Sequence, residues 1–152
     1  MPALFPRDRE STIQVLSYLG LIPFVAGAGL AWAVGDDLVR PHALASVYFY
    51  GAVILSFIGA MHWGRVLVSP QEGTGDRSWL VWGVAPSLVG WFALLLPHYL
   101  SVPLLIIGLG LTWTADHKAI RAGLFPAWYG QMRNRLTTIV SLTLASTFPL
   151  VF

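Results

Sequence analysis

Five long apolar stretches, at about 13–34, 44–66, 79–96, 99–115 and 136–152, fill most of the 152 residues, and short polar segments between them hold almost all the charge. A small soluble chain buries only about 60–70% of the surface it exposes when unfolded, so it cannot hide five such stretches from water. Lipid suits them as solvent. In lipid every backbone N–H and C=O must be bonded within its own segment, and that selects helices. The sequence therefore predicts an all-α, polytopic membrane protein: a single domain over 1–152 forming a five-helix transmembrane bundle.

Composition excludes the main soluble alternatives. Hydrophobic residues make up 56% and charged residues 11%, against about 25% charged in an ordinary globular domain. Mean hydropathy is +0.68. The nine basic residues are spread over several connections and build no continuous phosphate-binding face, so nucleic acid is not an expected partner. Without cysteine there is no disulfide framework, thiolate nucleophile or cysteine metal site. The apolar run after Thr12 lacks a small-residue cleavage site at signal-peptide distance, so the first span is expected to persist as a helix.

Each span carries its own packing signals. The first has 22 residues, about 33 Å of helix, with Pro23 in its middle, and a kink is expected near Leu19 to Pro23. In the second, Ala52, Ser56, Ala60 and Gly64 recur every four residues and predict a small-residue face for a neighbouring helix. Spans three and four are joined through Pro97-His98, which makes them antiparallel neighbours. The fifth, at 17 residues, is at the short limit for crossing.

Orientation follows from the basic residues. If the N-terminus and the 65–78 and 116–135 connections share a side, that side holds eight of the nine (Arg7, Arg9, Arg65, Arg77, Lys118, Arg121, Arg133 and Arg135), leaving Arg40 opposite. The positive-inside rule then predicts the N-terminus inside and the C-terminus outside. Most tryptophans fall toward one of the two interfaces, whereas Trp91 lies deeper and is expected to pack between helices.

Chemistry is sparse. The inner ends of spans two and four bring His62, Trp63 and Arg65 toward Thr112, Asp116 and His117. An ionisable residue within a span is a functional hypothesis by default, and His62 and Arg65, three apart, share a helical face. The simplest expectation is an Arg65–Asp116 ion pair locking two helices. The alternative is a pocket lined by His62, Trp63, Arg65, Asp116 and Arg133, with Arg133 facing back from just before the fifth span. The 116–135 connection, with basic residues alternating with aromatics, is expected to lie along the interface, His117 included. No metal, cofactor or catalytic constellation is expected: nucleotide, zinc-protease and hydrolase motifs are missing, and no spacing supports His62 with His117 as an axial pair.

The run Tyr50-Gly51-Ala52-Val53-Ile54-Leu55-Ser56-Phe57-Ile58-Gly59-Ala60-Met61-His62-Trp63-Gly64, with Asp116 after the fourth span and the passage from Trp128-Tyr129 through Arg133 to Leu136-Thr137, resembles the family known as domain of unknown function 3429. That resemblance implies a multi-pass membrane protein, of the bacterial inner membrane or its mitochondrial counterpart, with no assigned activity. In size and span count the chain is also similar to the translocator protein family, which keeps a hydrophobic ligand in view. The leading expectation is a non-enzymatic integral membrane protein, bathed in membrane lipid, that acts through helix–helix or assembly contacts with a second copy or a membrane protein partner. The alternative is a binder or carrier of an amphiphilic small molecule (quinone, porphyrin or lipid) at the inner ends of spans two and four.

Overall fold

The computed structural model describes residues 8–36, 38–68 and 76–151. Arg7, Phe152 and the 69–75 part of the second connection, which enter the sequence reading, lie outside them. Six α-helices follow in order: α1 (Arg9–Leu19), α2 (Ile22–Ala33), α3 (Val39–Leu67), α4 (Asp76–Leu95), α5 (His98–Arg121) and α6 (Ala127–Thr147), closed by a 3-10 turn at Phe148–Val151. The all-helical multi-pass architecture is as predicted. Four helical stretches are long and apolar enough to cross a membrane: Arg9–Ala33, Val39–Leu67, Arg77–Leu95 and His98–Arg121.

Arg9–Ala33 carries the expected interruption. The Gly20 N–H reaches Leu16 O and the Leu21 N–H reaches Tyr18 O, a tightening that ends α1, and Pro23 opens α2 where its missing N–H is harmless. The two halves then behave differently. α2 buries Phe24, Ala28 and Ala31, whereas α1 buries no residue.

Two boundaries differ from expectation. α5 does not stop at 115 but carries Asp116, His117 and Lys118 on to Arg121, so the expected 116–135 interfacial connection shrinks to residues 122–126. Gly123 stops the helix. Its φ of +72° is left-handed, its N–H bonds Ile120 O, and the Leu124 N–H bonds Ala119 O, which together close the helix end. α6 begins at Ala127, right after Pro126, nine residues ahead of the predicted 136, and gives way to the 3-10 turn from Phe148, inside the predicted 136–152 span. Its polar first half keeps it below the hydropathy of the other four.

The helices meet in two ways. α3 and α4 pack most extensively, through small residues. A Cβ added at Gly59 would lie 2.7 Å from the Gly83 carbonyl oxygen and 3.1 Å from the Pro86 ring, and one at Gly90 would lie 3.2 Å from Ala52. Trp63 lies over Gly83 and donates its indole N–H to Leu80 O at 2.8 Å. This seam runs Ala52, Ser56, Gly59, Trp63. The predicted row was Ala52, Ser56, Ala60, Gly64, and its last two members face outward: Ala60 is exposed and Gly64 meets nothing within 4 Å. Four residues turn a helix by about 400°, so a strict four-residue row drifts about 40° per step and leaves the interface after two. Elsewhere large residues fill the core: Leu55 packs into the notch at Gly108, and Tyr48 lies against His98 and donates to the Thr147 hydroxyl at 3.2 Å. Trp91, expected between helices, is instead 61% exposed on the outer surface, where lipid solvates it without cost.

Gly59→Leu forces a side chain into the α3–α4 seam and is expected to cost about 1–3 kcal/mol, read as a lower melting temperature in detergent. Gly64→Leu, aimed at open space, is expected to leave melting within error. Equal effects of the two would refute the seam.

Candidate functional site

Asp116, on α5, is fully buried and gathers side chains from two other helices. Arg133 of α6 donates from Nε to its Oδ2 at 2.6 Å, and His62 of α3 lies with Nε2 3.1 Å from its Oδ1. An ionised carboxylate only accepts, so the His62 proton sits on Nε2. The Tyr129 hydroxyl donates weakly to Oδ2 at 3.4 Å, and Arg133 Nη2 reaches the Thr112 hydroxyl at 3.4 Å. All five side chains are buried, and together they tie three helices at one depth. In an apolar interior such a pair is stable only if its lone pairs and protons are bonded, and here most are. His62 Nδ1 has no hydrogen-bond partner among the described residues. Trp79 of α4 stacks on its ring at 5.1 Å and 16°, and Phe125 covers it at 5.5 Å.

The expected partner of Asp116 is thus corrected. Arg133 takes the role predicted for Arg65, whose guanidinium carbon instead lies 5.6 Å from the centre of the Trp79 ring. Three helical residues put Arg65 one turn beyond His62, past the depth of Asp116 and level with Trp79. Trp63 is likewise absent from the cluster, since its ring serves the α3–α4 seam. His62, Asp116 and Arg133 come together. His117 does not: its Nδ1 lies 2.9 Å from Trp113 O of its own helix. Among the described residues no three His, Asp or Glu side chains converge as metal ligands.

Sequence reasoning missed Tyr129, Thr137 and Phe125. Tyr129, Arg133, Leu136 or Thr137, Val140 and Leu144 recur every three or four residues, and that period would have carried α6 back to Tyr129.

The best-formed cavity among the described residues does not lie between the inner ends of α3 and α5. A cavity of about 420 Å³ lies on the other side of the knot, between α1, α3 and α6. Leu16 and Gly20 form the α1 wall, Tyr50, Ile54 and Met61 the α3 wall, and Met132 and Leu136 belong to α6. Polar groups enter from α6: Tyr129, Arg133 and Thr137, whose buried Oγ1 has no partner among the described residues. Of the five residues proposed for a pocket, only Arg133 lines this one.

Arg133→Ala strands the Asp116 carboxylate in a buried site and is expected to cost about 3–5 kcal/mol, with part recovered in the Arg133→Ala/Asp116→Ala double variant. Arg65→Ala, losing a ring contact, is expected to cost under about 1 kcal/mol. Melting in detergent measures both, and equal losses would show that Asp116 does not depend on Arg133.

Comparison with known proteins adds a family and no chemistry. Residues 10–149 match the family model described as protein of unknown function (DUF3429). Transmembrane protein 69 of Xenopus tropicalis is 29% identical over 145 residues, covering 93% of this chain and 55% of its own. Its Mus musculus namesake is 28% identical over 157 residues, covering 95% and 62%. The chain thus spans less than two thirds of the length of these relatives. No solved structure matches it.

Proposed function

Because the chain belongs to the DUF3429 family, whose description assigns no activity, its own geometry is what speaks to function, and we propose that it is a membrane-embedded binder or carrier of an amphiphilic small molecule. The observation that carries this is the lateral cavity of about 420 Å³ between α1, α3 and α6. Small-molecule sites usually span about 300–1,000 Å³, with mostly apolar walls and a few placed polar groups. This cavity follows that division: apolar along α1 and α3, polar at the α6 residues beside Asp116. α1, which buries nothing of its own, forms its outer wall, so a ligand enters sideways from the bilayer by displacing α1.

The site suits binding rather than catalysis. His62, the side chain best suited to acid–base work, points its Nε2 at Asp116 and does not line the cavity. The rival reading, a protein acting through helix–helix contacts with a second copy or a membrane partner, drew on the small-residue face of α3. Ala52 is spent against Gly90, inside the chain. Only Ala60 and Gly64 of that face turn outward, which leaves it less to offer an external partner than the lateral cavity offers a ligand.

Orientation belongs to the same proposal. His62, Asp116 and Arg133 mark one pole of the bundle, Tyr48, His98 and Thr147 the other, and the basic residues cluster with the first. By the positive-inside rule the knot and the polar end of the cavity lie at the cytoplasmic face of a bacterial inner membrane, or its organellar equivalent.

Ile54→Trp places an indole in the cavity. A photoreactive long-chain probe in bilayers is expected to label the parent at cavity residues such as Met61 and Met132, and the variant several-fold less at unchanged melting temperature. Labelling spread evenly over the outer surface, or indifferent to the plug, would defeat the proposal. For orientation, alkaline phosphatase fused to the C-terminus is expected to be active in the periplasm, and fused within the 69–75 connection inactive; the reverse pattern overturns the assignment.

A further inference from the structure

The cavity has a direction as well as a volume. Its inner end is at the knot, where the Tyr129 hydroxyl meets Met61 Sδ at 3.5 Å and Arg133 joins the lining. Its other end is at Tyr50, against which the buried Phe24 of α2 stands edge-on with ring centres 5.0 Å apart. The chain explains that end. Past the break at Gly20–Leu21, α2 packs into the core as α1 does not, so the space beside α1 closes where α2 begins.

From Tyr50 to Met61 the α3 wall runs eleven positions, about 16 Å of helix. Drawn out over that length, about 420 Å³ leaves a mean section of about 25 Å², which suits one file of carbons in contact at about 4 Å and in which a flat macrocycle cannot lie. The two ends also differ in depth. Met61 is within two turns of the end of α3 and Tyr129 within one turn of the start of α6, whereas Tyr50 and Gly20 lie near the middle of Val39–Leu67 and Arg9–Ala33. A polar head keeps water within reach only near the helix ends, so the ligand lies with its tail toward Tyr50.

Moving a chain from bilayer to cavity brings no hydrophobic gain, because both are apolar. Packing decides instead. A chain too short leaves lining atoms without dispersion contacts, and one too long must fold or displace Phe24. Bonds of about 1.52 Å meeting at about 111° advance about 1.25 Å per carbon, so about 16 Å corresponds to about thirteen carbons.

Resting on the binding reading above, we infer that the cavity is a slot for one unbranched chain of about thirteen carbons, its polar head at the Tyr129–Arg133 end, with Phe24 setting the chain length. The ligand class is a single-chain lipid. Gly20 shares in the measure: a Cβ there would stand 3.6 Å from the Tyr50 hydroxyl, so a larger residue would shorten the slot, and its φ of −61° accepts one.

The test uses the full chain in discs of zwitterionic lipid carrying the photoreactive probe, displaced by straight-chain alcohols from octanol to octadecanol, each dosed as a share of the disc lipid. Displacing power is expected to rise to dodecanol or tetradecanol, about tenfold above octanol, and to fall about threefold by octadecanol. Phe24→Ala is expected to move the optimum about three carbons longer and Gly20→Leu about three shorter; Gly20→Leu keeps the test open should Phe24→Ala not fold. Dodecanol with a diazirine beside its hydroxyl is expected to label Met61, Met132 or Tyr129, and with the diazirine at its tail Leu21, Phe24 or Tyr50. Power that climbs steadily to octadecanol, an optimum that neither variant moves, or a head-end diazirine that labels Tyr50 overturns the chain-length inference while leaving the binding reading standing. Failure of every alcohol to displace the probe, or displacement unaltered by Ile54→Trp, overturns the binding reading itself.

Discussion

A carboxylate cannot stay charged in an apolar interior unless other groups come to it, and Asp116 fixes this bundle by compelling α3 and α6 to do so. His62 and Arg133 meet its two oxygens, so three helices share one depth and one rotation about their axes. Apolar contacts alone give no such register in lipid, because a leucine against a lipid tail is nearly as stable as a leucine against a helix. The knot supplies specificity first. Its stability is that of a matched pair, large only by comparison with a broken one.

The remaining helices are held by other means, and the cavity follows from the difference. α4 joins α3 through backbone proximity, with Gly59 under Pro86 and Gly83 under Trp63. α2 joins by burying Phe24, Ala28 and Ala31. α1 has neither a glycine seam nor a buried side chain, nor any part in the knot. Past the break at Gly20–Leu21 it leaves the core, and the space between it, α3 and α6 is left unfilled. The opening thus arises because the strongest contacts pull α3 toward α4 and α5, away from the α1 side.

Much of this was legible in the residues, for reasons that also explain the failures. Hydropathy located the helices because lipid imposes the same requirement on each of them, and Pro23 announced the kink because a proline lacks the donor a helix interior needs. Helix ends were misplaced because polarity stood in for them. Asp116, His117 and Lys118 are polar and yet helical, while the actual stop was written in Gly123 and Pro126. The α3 face was misdrawn by a four-residue ruler laid on a 3.6-residue helix. The partner of Asp116 was beyond sequence reach for a different reason: Arg65 lies only one turn past its depth, and which of Arg65 and Arg133 meets it depends on how α3 and α6 are placed in the bundle. The cavity was invisible because it is a deficit of contacts, and no residue encodes a deficit.

Arg133 and Arg135 show how one basic segment takes on two tasks. They lie two residues apart, about 200° around α6, so a helix that buries one must expose the other. Arg133 is buried on Asp116 and Arg135 is exposed. The exposed guanidinium points away from the bundle, where a long side chain can keep its charged head solvated at little cost. Arg133, two residues and about 3 Å nearer the start of α6, turns inward instead, where a cation is tolerable only beside Asp116. An exposed and a buried arginine therefore constrain the rotation of the same helix from two sides. A shift of α6 along its axis by one residue would turn Arg133 about 100° away from Asp116, and a charged residue would then lie unpaired in the bundle. That penalty fixes the position of α6, and with it the position of Tyr129 and Thr137 at the cavity.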